Sequence, residues 1–248
     1  MRLDKLISQM QIGTRSQVKE YIRNGSVTVN GQVVKKPECK VNALEDKICY
    51  MGRELCFQKF AYYMLNKPSG VVTATKDSHD QTVMDLMHDA AGKDLFPVGR
   101  LDKDTEGLLL VTNDGTLSHK LLSPKMHVVK TYYVECEGAL TSEGIFMLEQ
   151  GVDIGDEKIT LPASVSNVKQ LDGTYSMLLS ITEGRFHQVK RMIHAVGGNV
   201  TYLKRISFGG LFLDKTLANG AWRPLRQEEI MQLANQNQNK NQNKNKED

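Results

Sequence analysis

Long apolar runs are missing from this 248-residue chain. Nowhere do the ~20 consecutive apolar residues of a membrane-spanning helix occur. The opening Met1-Arg2-Leu3-Asp4-Lys5 also lacks the apolar stretch of a secretory signal, so no membrane partner and a cytoplasmic location are expected. Cysteine is sparse: Cys39, Cys49, Cys56 and Cys136 form no Cys-x-x-Cys pair and none has a histidine at zinc-finger spacing, so reduced, separate thiols are expected. His187 and His194 are seven apart, close enough to share a helix face, but have no cysteine or carboxylate ligands nearby, and no metal is expected. Neither a Walker-type phosphate loop nor a Gly-x-Gly-x-x-Gly after a strand is present, so no cofactor is expected.

What the chain does contain is a 40% hydrophobic content, enough for a packed core in one large or two modest domains. Its net charge of +3 hides an asymmetry. Residues 1–40 hold eight Lys or Arg against three Asp or Glu, which leaves the remainder slightly acidic. A local basic excess is the electrostatic footprint of a polyanion binder.

Leu3, Leu6, Ile7 and Met10 recur at the spacing of one helix face and predict a first helix over about 2–10. Thr14 and Gln17 have the form of a capping box, and Val18, Tyr21 and Ile22 continue a second helix until Asn24-Gly25. Val27–Val29 and Gln32–Val34 flank Asn30-Gly31, a strong hairpin signal. Met51–Lys59 is the expected linker. Tyr62–Leu65 and Val71–Thr73 are expected to be strands joined by a turn, with short helices over 83–87 and 116–122. A helix is expected from Thr141 to Gln150, a strand over Tyr175–Thr182, closing strands near 200–203, 211–213 and 221–225, and a last helix over 227–234. Asn235–Asp248 is almost wholly Asn, Gln and Lys, too polar to offset the entropy of ordering, and is expected to be a disordered tail.

The stretch from Phe96 to Gly115 stands out. Leu108–Val111 is a wholly apolar run closed by Asn113-Asp114-Gly115, so it predicts a buried strand ending in a tight turn. The polar residues before it, Arg100, Asp102, Lys103 and Asp104, then form a loop fastened to the core, where a rigid scaffold can present a reactive group. Aspartate in a turn often only bonds nearby backbone amides, so position alone does not separate a structural role from a chemical one.

Gly99-Arg100-Leu101-Asp102, followed by Asp104-Thr105-Glu106-Gly107-Leu108-Leu109-Leu110 and Thr112-Asn113-Asp114-Gly115, resembles the signature of the ribosomal RNA pseudouridine synthases, most closely the RsuA type. Lys67-Pro68-Ser69-Gly70, Lys130-Thr131-Tyr132, and Gly184-Arg185-Phe186-His187-Gln188-Val189-Lys190-Arg191-Met192 are similar to the family's other motifs. The first segment, with Arg2-Leu3-Asp4-Lys5-Leu6-Ile7 and Gly25-Ser26-Val27-Thr28-Val29-Asn30-Gly31, resembles the S4 RNA-binding module.

The resemblance implies Asp102 as catalytic aspartate, Lys190 as its basic partner and Tyr132 as the active-site tyrosine. Arg191, one residue on, would point about 100° away on a helix and is no substitute for Lys190. Arg2, Lys5, Arg15, Lys19 and Arg23 are expected to reach phosphates, and Lys67, Arg100, Arg185, His187, Gln188 and Arg191 complete the expected RNA-binding set. For Lys67, a water-facing position is the alternative. With Tyr21 the lone aromatic among the two helices and the hairpin, recognition by shape and backbone is expected.

The implied fold is α+β: a small N-terminal S4-like α/β RNA-binding module over 1–58, then a synthase domain over 59–235 with a mixed, mainly antiparallel sheet flanked by helices, and the tail over 236–248. The implied reaction isomerises one uridine of ribosomal RNA by cleaving the glycosidic bond, turning the base and rejoining it through carbon. Asp102 would attack the ribose or remove its proton, while Lys190 offsets the desolvation of its charge. The compact length and the opening residues look most similar to the enzymes of the small subunit, so 16S rRNA, at uridine 516 as in the RsuA type, is the expected substrate of a monomer, free or in a partly assembled small subunit. The alternatives are a synthase acting on 23S rRNA, a non-catalytic rRNA-binding assembly factor, and an N-glycosidase that does not rejoin the base.

Overall fold

The computed structural model describes residues 1–10, 12–43, 45–55, 60–138 and 140–235. They fall into two compact units, residues 1–61 with 91–94, and residues 62–90 with 95 onward. The expected boundary at 58/59 and the expected tail over 236–248 lie outside the described residues. No described helix is long and apolar enough to cross a membrane.

In the first unit, α1 (Leu3–Gln9) and α2 (Arg15–Arg23) precede a four-stranded sheet of β1 (Val27–Val29), β2 (Gln32–Val33), β3 (Ile48–Tyr50) and β4 (Arg53–Glu54), in the order β2-β1-β3-β4. Thr14 caps α2, its hydroxyl accepting from the Gln17 amide while the Gln17 side chain accepts from Thr14 N. The hairpin turns at Asn30 (φ 52°) and Gly31 (φ 81°), the left-handed pair that a tight two-residue turn requires. Leu3, Leu6, Ile7, Val18, Ile22, Val27, Val41 and Ile48 form the core of the unit. Met51 and Gly52 are the turn between β3 and β4, so the first part of the expected linker belongs to the sheet. Paired polar residues look like a linker when the cross-strand partner is unknown.

The larger unit is built on a nine-stranded sheet. Its strands are β5 (Tyr62–Lys67), β6 (Phe96–Pro97), β7 (Glu106–Thr112), β8 (Lys130–Gly138), β9 (Ser164–Leu171), β10 (Thr174–Ile181), β11 (Gly198–Phe208), β12 (Leu211–Phe212) and β13 (Trp222–Pro224). The order is β13-β5-β7-β11-β8-β10-β9, with β6 on β7 and β12 on β11. β7 and β11 run parallel and the other pairs antiparallel. The helices are α3 (Gly115–Leu122), α4 (Ser142–Gln150), α5 (Gln188–Ala195) and α6 (Gln227–Ala234).

β7 is buried on both faces, which is why its sequence is a continuous apolar run rather than an alternating one. Leu108 and Leu110 join Met64, Leu117, Leu121, Phe208 and Leu233 in one cluster, while the alternating residues Leu109 and Val111 are fully buried as well. The Asp114 carboxylate accepts from Thr116 N and Leu117 N, so the expected tight turn after β7 is the start of α3. Gly107 (φ 101°) lies against β11, where a Cβ would collide with the Arg205 carbonyl. Buried Arg205 ties the two strands further, its Nε donating to the Leu108 carbonyl at 2.8 Å.

Val71–Thr73 does not form the expected strand; Val72 makes a single bridge to Thr82. The expected helix over 83–87 is reduced to one tight turn, Asp85–Met87.

Candidate active site

The loop that carries Asp102 is fastened from behind. Lys67, the last residue of β5, has no accessible surface, and its Nζ donates to the carbonyls of Pro68 (3.0 Å), Lys103 (3.1 Å) and Thr105 (2.9 Å). Gly70 N donates to the same Lys103 carbonyl at 2.8 Å, and Thr105 N donates to Asp102 O at 3.1 Å. On the other flank the Thr73 hydroxyl donates to the Leu101 carbonyl and accepts from Leu101 N. Burial pushes the Lys67 ammonium down to about 8, against the pull of Asp104, Asp102 and Glu106.

Lys67 therefore neither binds phosphate nor faces water, which corrects both expectations. Its Lys-Pro-x-Gly motif marks it in the sequence, but the three carbonyls that it serves come from a loop folded onto it. Thr73 was not singled out in the sequence, since a lone threonine carries no signal until the loop lies against it.

The Asp102 side chain remains 28% exposed. Lys190 Nζ lies 3.5 Å from its Oδ2 and His187 Nε2 lies 3.6 Å from its Oδ1. Lys190 is held more closely by Asp104, at 2.5 and 2.7 Å from the two carboxylate oxygens. Burial disfavours the charge of Asp104, yet the hydrogen bond and charge of Lys190 hold its carboxyl below the usual range. Asp104 is in the signature loop and the sequence assigns it no role, since the lysine that it pairs with is 86 residues away. One ammonium thus serves two carboxylates, so the cluster carries a net negative charge when His187 is neutral.

Helix α5 explains why one basic residue reaches the loop and its neighbour does not. Val189, Met192 and Ile193 are buried, Lys190 turns toward the Asp102 loop, and Arg191 reaches back to Asp156, to the Ile154 carbonyl and to the Phe186 carbonyl. The first turn of α5 is fixed by a second network. The Arg185 guanidinium donates to Glu183 and to the carbonyls of Lys158 and Ile159, and buried Gln188 bonds Arg185 N, Glu183 and the Met192 sulfur. Arg185, Gln188 and Arg191, expected to touch RNA, are thus engaged internally, because four carbonyls, Glu183 and Asp156 lie within their reach.

Tyr132 sits in mid-sheet on β8, opposite Leu179 of β10 and Arg205 of β11. It is nearly buried, but its hydroxyl has no protein partner among the described residues and is not a buried unpaired atom, so it meets solvent. Arg100 is exposed and unpaired among the described residues. In the first unit, Arg2 and Arg15 both pair with buried Asp4, at 3.0 and 3.3 Å, while remaining about half exposed. Burial disfavours the Asp4 charge, but the two guanidinium groups hold its carboxyl below the usual range. Lys5 and Arg23 are exposed and Lys19 half-buried, with no acidic partner among the described residues. Among the described residues no cluster of potential metal ligands occurs, and Cys39, Cys49 and Cys136 are free thiols.

The model of the RNA pseudouridylate synthase family matches residues 61–195, and that of the S4 domain matches residues 1–48. The chain belongs to the RNA pseudouridylate synthase family. It is 45% identical over 231 residues to the uncharacterized RNA pseudouridine synthase YtzG of Bacillus subtilis, covering 93% of this chain and 97% of that one. It is 40% identical over 232 residues to the ribosomal small subunit pseudouridine synthase A of Escherichia coli (strain K12), covering 93% and 98%. Among solved structures, a crystal structure of pseudouridylate synthase matches with a TM-score of 0.64 at 38% identity, covering 94% of this chain and 99% of that one. As a member of the family the chain is an isomerase with an N-terminal S4 domain, and the Asp102 loop and the start of α5 both lie within the matched synthase region.

Proposed function

We propose that the chain converts uridine 516 of small-subunit ribosomal RNA to pseudouridine, acting as a cytoplasmic monomer without a cofactor, with Asp102 as the catalytic carboxylate. The observation that carries this reading is a partly exposed carboxylate, 3.5 Å from an ammonium and 3.6 Å from an imidazole, on a loop hydrogen-bonded from behind. Such a group is preorganised and reachable at once, as a reactive side chain must be.

In the reaction the bond from C1′ to N1 breaks, the uracil turns, and a bond from C1′ to C5 forms. The proton lost from C5 is matched by one gained at N1, so substrate and product are isomers and no redox partner is needed. The uridine must first leave its stack, which costs a few kcal/mol. RNA covering the site removes water from Asp102, and the adjacent Lys190 ammonium keeps the carboxylate charged as that happens. Tyr132 offers a ring for the uracil and a solvent-facing hydroxyl for the proton steps. Lys5, Lys19, Arg23, the outer parts of Arg2 and Arg15, and Arg100 supply phosphate contacts.

The small subunit is favoured because the relative that covers nearly the whole chain at 40% identity is named for it. The test adds purified protein to unmodified small-subunit rRNA, naked and in partly assembled particles, beside large-subunit rRNA, and maps pseudouridine. Modification at uridine 516 that disappears with Asp102→Asn is the expected result. Modification of large-subunit RNA alone overturns the target, and full activity of the Asn variant overturns the site.

A further inference from the structure

Phe186 leaves 72% of its surface in water, directly beside the Asp102 cluster. Its ring lies flat on His187, with centroids 3.9 Å and planes 16° apart, and His187 Nε2 is 3.6 Å from Asp102 Oδ1. Carboxylate, imidazole and phenyl ring therefore follow one another in sequence across one surface. The backbone under this stack is pinned. His187 adopts the left-handed conformation (φ 48°, ψ 35°) that starts α5, its carbonyl accepts from Arg191 N at 3.0 Å, and the Phe186 carbonyl accepts from Arg191 Nη1 at 3.1 Å. Arg191 is in turn clamped to Asp156. A left-handed histidine held by this many constraints is local strain of the kind found at functional sites.

One face of the phenyl ring rests on the imidazole, and the exposure lies on the rest of the ring. During catalysis Asp102 meets a ribose, so whatever occupies space one ring layer away at that moment is an adjoining part of the same RNA. The target must be extruded, which leaves its neighbours without a stacking partner. Aromatic rings take such bases by stacking on their faces.

We infer that Phe186, backed by His187, is the stacking platform for an unpaired base adjoining the target uridine, and so helps select RNAs in which that neighbour is free to unstack. The inference rests on the synthase reading given above. It separates two tasks: the cations hold the phosphates, and one aromatic ring reads whether the RNA beside the target is open.

The test measures kcat and KM for the full chain and its Phe186→Leu and Phe186→Trp variants. The substrate is rRNA carrying the target, intact or with a single abasic site ligated in at each adjoining position. On intact RNA, Phe186→Leu is expected to lose about tenfold or more in kcat/KM, and Phe186→Trp to recover most of that loss. An abasic site at one neighbour should cost the wild type a similar factor and cost Phe186→Leu little more, a coupling that a merely structural ring would not produce. Activity of Phe186→Leu within about twofold of wild type, or equal abasic penalties in both proteins, overturns the platform while the enzyme stands. If the wild type forms no pseudouridine in any ribosomal RNA, the synthase reading fails and this one with it, so the two failures are told apart.

Discussion

Arg2 and Arg15 share one buried carboxylate in the N-terminal unit and keep about half of each side chain in water, with Lys5 and Arg23 left exposed around them. In the synthase unit, Lys67, Arg185 and Arg191 are engaged by main-chain carbonyls and carboxylates, and Lys190 bridges Asp102 and Asp104. The same residue types do opposite work. Cations facing water give long-range, salt-sensitive attraction for a polyanion. Those turned inward fix backbone and side chains where a reactive carboxylate must be held to within fractions of an ångström. The same residue types are therefore left largely to solvent in the first unit and drawn largely into the architecture in the second.

The sharpest way to break this contrast is Asp102→Asn, which removes charge without changing shape. Turnover is expected to fall at least about a hundredfold while RNA binding and melting temperature stay near wild type. A loss of folding would mean that Asp102 belongs with the structural residues. Next, Lys190→Met should cut the rate about a hundredfold, on the scale of one partner lost from a close ion pair. Arg191→Met should instead lower stability by about 2 kcal/mol in urea unfolding, since it leaves the Ile154 and Phe186 carbonyls without their donor and Asp156 with only its longer contact to Arg185. Equal kinetic losses in the two variants would erase the distinction between neighbouring positions on α5.

Lys67→Met is expected to cost about 3 kcal/mol of stability, because the Pro68 and Thr105 carbonyls lose their donor and the Lys103 carbonyl keeps only Gly70 N, and turnover should fall with the loosened Asp102 loop. Its pH dependence carries a definite sign. Burial lowers the folded-state pKa from 10.5 to about 8, so within that window the unfolded chain holds a proton that the folded chain has released. The free energy of unfolding contributed by Lys67 therefore rises with pH between those values. Denaturant curves at both ends of the window should show a smaller rise in Lys67→Met than in wild type. The gentlest effect is expected from replacing Lys5, Lys19 and Arg23 together by Ala. The loss falls on affinity, and the slope of log affinity against log salt becomes shallower by about two. An unchanged slope would place RNA binding elsewhere.

The reading from sequence was closest where residues a few positions apart decide the outcome. The apolar spacing of α1, the Thr14 and Gln17 capping box, the Asn30-Gly31 hairpin and the helix over 227–234 all depend on short-range geometry, and all are present. The motifs likewise led to the family, since their order along the chain is specific. What local pattern could not supply was the partner of each polar side chain. Lys67 and Thr105, or Arg191 and Ile154, are more than thirty residues apart in sequence, so nothing in the composition around them tells a phosphate-seeking cation from an internal brace.

Sequence alone determined where the capped helix α2 starts and which strand is apolar throughout, because each depends on propensity and period within a short window, and the order of its motifs, through the resemblance to the synthases, singled out Asp102. Only the tertiary structure decided that Lys67 is buried, that Lys190 bridges Asp104 and Asp102, and that Phe186 lies bare on His187 beside them. The physical reason is that burial, charge pairing and ring stacking are set by what the fold brings within a few ångströms, and a cation or a phenyl ring has no fixed role until those neighbours are in place.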